Sequence, residues 1–177
     1  MKTIAFVGIS GIGKSTFLKA VVDETPFLHL EASNLIKDEL SLVRQQTHSS
    51  EDLRIGAVLD NQTLLIRAFK RHTAGQNGLV ILDGHTVVDT GSGLLNIPAS
   101  VFGEMNVQAI LFLQDDPEAI QSRRAADTSR VRPVRTAEEI QSHQQAALLS
   151  AADIALELSI PLHVVTHSSA QTVMDIL

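Results

Sequence analysis

The residues best equipped for chemistry stand near the start of the chain. Gly8-Ile9-Ser10-Gly11-Ile12-Gly13-Lys14-Ser15-Thr16 fills every fixed position of the phosphate-binding pattern G-x-x-x-x-G-K-[ST]. Such a loop turns backbone N–H groups, here those of Ser10 to Ser15 with Ile12 among them, round the terminal phosphates of a nucleotide. The positive end of the helix behind it adds to the attraction. Lys14 would bring a point charge to the β and γ phosphates, and the Ser15 hydroxyl would ligate Mg²⁺, with Thr16 completing the motif in the first helical turn. Gly8, Gly11 and Gly13 leave room for the backbone to approach the phosphates. Lys2–Val7 before the loop reads as a buried strand and Phe17–Asp23 after it as helix, which is the context that gives the pattern meaning.

A second group follows the apolar run Leu79-Val80-Ile81-Leu82. Asp83 ends that run where a carboxylate holds Mg²⁺ directly or through water. Gly84 allows a sharp turn, and His85 either contacts an acceptor or packs on the loop. The segment from His85 to Gly93 is longer than a plain connection needs, and its Gly, Ser and Thr content suits an acceptor-side binding loop. A third group is cationic. Arg123, Arg124, Arg130, Arg132 and Arg135 fall within thirteen residues of a chain whose net charge is −6. Guanidinium forks of this kind stabilise the charge that spreads over a phosphoryl group in transfer, and a lid that carries them shuts out water. Arg44, Arg54 and Arg67 are candidates to hold an acceptor phosphate, and Arg54, opening a helix after a polar turn, is preferred among them. His29, His48, His72, His143, His163 and His167 show no metal-ligand spacing and read as structural.

The elements that must position these groups alternate regularly. Strands are expected at Thr3–Gly8, Phe27–Glu31, Leu79–Asp83, Val107–Gln114 and Leu162–Thr166. Helices are expected at Lys14–Glu24, Ser33–Gln46, Glu51–Thr73, Pro117–Ala126 and Thr136–Ser159. Asp116 before Pro117 is a helix cap, and Thr136 with Glu139 is a capping box. Continuous apolar strands are buried on both faces, which implies α/β architecture: a three-layer fold with a five-stranded parallel sheet, helices on both faces and a short lid. In such sheets the ligand sits off the carboxyl ends of the strands. One domain covers 1–177, with a helical insertion at about 32–74 over the acceptor and the lid at about 124–136.

Composition excludes several function classes. The acidic balance disfavours nucleic acid and anionic membrane surfaces as partners. No apolar run approaches the ~20 residues of a membrane span, and the first strand leaves no space for a signal peptide, so the cytoplasm is the expected location. With no cysteine, thiolate catalysis and thiolate metal sites are ruled out.

Four stretches together resemble the archaeal-type adenylate kinases, a branch of the P-loop nucleoside monophosphate kinases. They are Gly8–Thr16; Val80–Thr90 with its Asp-x-His; Asp116–Arg124 continued by Asp127–Arg132; and Glu138–Gln144, which opens the long penultimate helix. The resemblance implies the P-loop NTPase fold and transfer of the γ-phosphoryl of ATP to AMP with Mg²⁺. It implies small-molecule nucleotide partners and leaves a homo-oligomer, trimer or dimer, open. Carried over by position, Lys14, Arg124, Arg130 and Arg132 would be catalytic, and Ser15 and Asp83 would organise the metal. The chain departs from the pattern on its acceptor side. Gln145–Ala152 carries no Arg, Leu158-Ser159-Ile160-Pro161 replaces a Gly-rich turn, and Gly93–Pro98 is altered. Two other functions stay open. One is a kinase of another small acceptor, for which Glu31 at the end of the second strand would serve as base. The other is a regulatory ATP-binding switch.

Overall fold

The computed structural model describes residues 1–22, 26–46, 58–90, 93–127 and 133–177. The five expected strands are β1 (Lys2–Val7), β2 (Leu28–Glu31), β3 (Leu79–Gly84), β6 (Val107–Leu113) and β7 (Leu162–Val165). They form one parallel sheet in the order β2-β3-β1-β6-β7. β1 lies between β3 and β6, so the chain leaves the sheet centre in both directions and opens a crevice at its carboxyl edge. The register places that edge: Val7 pairs with Gly84 and Phe112, Glu31 with Asp83, and Leu113 with Val165. Gly8, Glu31, Asp83, Gln114 and Thr166 therefore share one rim.

The sheet interior carries the core. Ile4, Phe6, Ile81, Ile110, Leu111 and Phe112 are fully buried, each contributing on the order of 1.5–3 kcal/mol. Around the sheet lie α1 (Lys14–Val22), α2 (Ala32–Gln46), α3 (Val58–Thr73), α4 (Ala99–Glu104), α5 (Pro117–Ala126), α6 (Ala137–Leu158) and α7 (Ala170–Ile176). α1 packs on α7, α2 on α3, and α6 on α4, α5, β6 and β7. Both expected caps form. Asp116 accepts a hydrogen bond from the Ala119 N–H, and Thr136 and Glu139 make the reciprocal capping box. None of the helices among the described residues is long and apolar enough to cross a membrane.

Besides the helices α4 and α7, which the sequence pattern did not lead us to expect, a hairpin and a strained turn extend that pattern. The segment after His85 holds β4 (Val87–Asp89) and β5 (Leu94–Asn96), an antiparallel hairpin closed by the Thr90 N–H to the Gly93 carbonyl, with Gly93 at φ +152°. Strands of three residues carry too little alternation to stand out. At the end of α6, Ser159 takes the left-handed conformation, φ +54°, where glycine is the unstrained choice. The turn written without glycine is thus built all the same. α3 is described from Val58; the start expected at Glu51, with residues 47–57 including Arg54 and His48, lies outside the described residues.

Candidate active site

The loop between β1 and α1 is anchored from below and tied from above. Ile9 and Ile12 are buried in the core, and Phe17 stacks on Phe6 with ring centroids 5.4 Å apart. Gly11 and Gly13 have φ of +81° and +99°, which a side chain would strain. A Cβ at Gly11 would also stand 2.6 Å from Arg124 Cγ, and one at Gly8 would stand 2.9 Å from the Leu113 carbonyl oxygen.

Three side chains from distant elements donate to the loop's carbonyl groups. His85 Nδ1 meets the Gly8 oxygen at 2.6 Å, Arg124 Nε the Ser10 oxygen at 2.8 Å, and His167 Nε2 the Ile12 oxygen at 2.8 Å. A carbonyl can only accept, so the named ring nitrogen of each histidine carries the proton. These contacts hold three of the loop's carbonyls from outside, while the Ile12 N–H turns back to the Ile9 carbonyl at 3.4 Å. Arg123 pairs with Asp115, whose carboxylate also lies 3.4 Å from His167 Nε2. Burial pushes the Asp115 carboxyl up, and the Arg123 guanidinium with the Asp116 amide brings it below its ordinary value.

Lys14 and Asp83 face each other beneath this loop. Each is 8% exposed, with Nζ 3.6 Å from Oδ1. Nζ also reaches the Gly8 carbonyl at 3.2 Å. Burial pushes the Asp83 carboxyl up. The facing His29 imidazole and the Lys14 ammonium outweigh it, so Asp83 titrates below the usual aspartate value. The other oxygen of Asp83, Oδ2, lies 3.5 Å from His29 Nε2. The Lys14 ammonium and burial push His85 down to about 3, so it remains neutral at any working pH. A cavity of about 350 Å³ opens over the loop, with Glu31, Asp83, His85 and Arg123 on its walls. A second, of about 230 Å³, runs from Ser10 and His85 past Arg124 to His143. Burial, then Arg124, lowers the His143 pKa, and its Nε2 has no hydrogen-bond partner among the described residues.

Ser10, Gly11, Ile12, Gly13, Lys14, Ser15, Thr16, Asp83, Gly84 and His85 all line the larger of these two cavities. Arg124 rests on the loop itself. Arg130 and Arg132 lie outside the described residues. Arg135 turns away from the loop: its guanidinium pairs with Asp89 at 3.1 Å and Glu139 at 3.4 Å, tying the start of α6 to β4. Three histidines read as structural are at the site, His29 beside Asp83, His167 on the loop and His143 in the second cavity. The signal for His167 was available, since it stands two residues beyond a strand at the carboxyl edge. Asp115 has the same placement after β6.

A family model described as an AAA domain matches residues 7–141. The chain is similar to the adenylate kinase of Pyrococcus horikoshii, 29% identical over 144 residues that span 80% of this chain and 74% of that protein. It is 30% identical to the adenylate kinase of Thermoplasma acidophilum over 145 residues, 78% of this chain and 74% of that one. Among solved structures, shikimate kinase from Bacteroides thetaiotaomicron superposes with a TM-score of 0.57 at 15% identity, over 99% of this chain and 97% of that chain. A gluconokinase from Sinorhizobium meliloti does so at 0.51 and 16%, over 93% and 82%. At such identities the structural likeness speaks to the shared fold alone.

Proposed function

The chain belongs to this AAA-domain family and to its archaeal adenylate kinase branch; from that premise we propose that it transfers the γ-phosphoryl of ATP to a nucleoside monophosphate, AMP. The observation that carries the reading is the convergence on one cavity of Lys14, Ser15 and Asp83, with Arg124 seated on the Ser10 carbonyl above them. Phosphoryl transfer asks little covalent work of a protein and much positioning and charge stabilisation.

In this mechanism the loop amides and Lys14 hold the β and γ phosphates of ATP. An oxygen of the AMP phosphate attacks the γ phosphorus in line, a new P–O bond forms, and the bond to the β–γ bridging oxygen breaks, leaving two ADP. Arg124, joined by Arg130 and Arg132 of the lid at 124–136, stabilises the equatorial oxygens and excludes water. The insertion at 32–74 covers the acceptor, and Arg54 and His85 contribute to its side. The donor set fits Mg²⁺: a hydroxyl at Ser15 and a carboxylate at Asp83 that stays ionised, both on the same cavity. When bound, the ion neutralises charge on the β and γ oxygens.

Glu31 favours a second reading. It ends β2 on the wall of the cavity and pairs in register with Asp83, where it would accept the proton of a hydroxyl acceptor. An acceptor screen separates the two. ADP accumulating in excess only with AMP supports the first reading, phosphorylation of a nucleoside or metabolite hydroxyl the second. ATP hydrolysis indifferent to every acceptor overturns both.

A further inference from the structure

His29 and Glu31 are two residues apart on β2, so they project from the same face of the sheet, and Glu31 is the register partner of Asp83 on β3. Three electron-pair donors thus meet at the ends of two adjacent strands. One ligand atom from each of His29, Glu31 and Asp83 lies within 4.8 Å of the other two. His29 Nε2 is shielded from solvent and has no hydrogen-bond partner among the described residues, yet it faces the Asp83 carboxylate at 3.5 Å. That separation is too long for a good hydrogen bond. It does match the spacing of two ligands about 2.0–2.2 Å from one tetrahedral centre, which is roughly 3.3–3.6 Å.

We propose that His29, Glu31 and Asp83 form a binding site for a transition-metal divalent cation of the zinc or cobalt class, distinct from the Mg²⁺ position at Ser15. One imidazole and two carboxylates are a donor set that zinc accepts, with a fourth position left open to water or to a ligand oxygen. The nitrogen ligand selects against Mg²⁺, which prefers oxygen. The two cation positions share Asp83 through different oxygens: Oδ1 faces Lys14 and the phosphate loop, and Oδ2 faces His29. The supporting contacts are in place. Asn34 Nδ2 donates to Glu31 Oε2 at 3.1 Å, and the Phe27 ring meets the His29 ring edge-on at 6.5 Å. Because α2 begins at Ala32, directly after Glu31, a cation here would also tie the root of the 32–74 insertion to the strand that carries Asp83.

The test uses the nucleotide-free full chain and does not depend on which acceptor it phosphorylates. Zn²⁺ is titrated calorimetrically with millimolar Mg²⁺ present, and the melting temperature is followed in parallel. One equivalent should bind despite the Mg²⁺, and the melting temperature should rise with Zn²⁺ as expected of a ligand selective for the folded state. His29→Asn and Glu31→Gln should each weaken binding by about tenfold or more and remove the thermal shift. Co²⁺ should give the visible absorption of a nitrogen-ligated tetrahedral ion, lost in His29→Asn. Circular dichroism of the variants establishes that they fold. His29→Asn binding Zn²⁺ as tightly as the unaltered protein overturns the proposal, and so does the absence of an equivalent bound by the unaltered protein.

Discussion

The donor and acceptor sides of the cleft are built to different standards. On the donor side a six-residue loop, Gly8–Gly13, is held by two buried isoleucines below and by His85, Arg124 and His167 above, side chains drawn from three separate places in the chain. Holding the loop from both sides before any ligand arrives lowers the ordering cost of binding. On the side we propose for the acceptor, α2 and α3 pack mainly on each other, the hairpin β4–β5 makes its own small sheet, and Leu94 and Leu95 stay exposed. Of the departures from the adenylate kinase pattern, Gly93–Pro98 falls there, whereas Leu158–Pro161 precedes β7 at the opposite, amino edge of the sheet. The contrast teaches that a phosphate loop tolerates little variation, because the carbonyls of Gly8, Ser10 and Ile12 each have a side-chain partner from elsewhere in the chain. An acceptor wall is free to change with the acceptor.

That contrast can be broken most directly at Lys14. Lys14→Ala should lower transfer by about 10²–10⁴ with every acceptor, the scale of a lost charge-stabilising donor. A loss confined to one acceptor in coupled assays of ADP formation would place Lys14 on the wrong side of the cleft. The lid arginines come next. Arg124→Ala should cost about 10²-fold in turnover, and if Arg130→Ala and Arg132→Ala both leave transfer intact, the lid reading fails. Gly11→Ala should destabilise the fold by about 1–2 kcal/mol in urea titrations, from the left-handed backbone. It should also weaken ATP binding, since the new methyl group displaces Arg124.

A smaller effect sits in the pH dependence. Unfolded His85 takes up a proton near pH 6.5, whereas the folded protein holds it neutral down to about 3. Between those values the unfolded chain binds more protons, so stability is full above pH 6.5 and is lost as the pH falls towards 3. His143, whose pKa is also lowered, acts in the same direction. His85→Asn should therefore flatten the fall in unfolding free energy, read from urea titrations between pH 6.5 and 5.5, by on the order of 1 kcal/mol. An unchanged slope would mean that His85 does not face the Lys14 charge. The smallest change is expected at Arg135→Ala, where the paired groups are partly exposed. Turnover should move by less than about threefold, and a larger loss would return Arg135 to the transferring group.

Much of the fold was legible along the chain. The runs Leu79–Leu82 and Ala109–Leu113 are apolar on both faces, which only a covered parallel strand requires, and Asp116 and Thr136 announce their helices through local hydrogen bonds. The hairpin at Val87–Asn96 was hidden because short strands draw their stability from a partner strand rather than from their own pattern. The left-handed Ser159 was hidden because packing around the end of α6 outweighs the local preference for glycine.

What the sequence determined by itself was the phosphate grip. Gly8 to Thr16 are consecutive, so their spacing and the helix behind them follow from covalent order and local backbone preference. Asp83 belongs with them, because the end of an apolar strand is visible as such. Tertiary structure decided which contacts the more distant side chains make around that grip. His29, His85, Arg124 and His167 stand far apart in the chain and meet because parallel strands in the order β2-β3-β1-β6-β7 deliver their carboxyl ends to one rim. A histidine has no spacing signature when its partners are a carbonyl or a carboxylate on another strand. Its role exists only once the sheet has assembled.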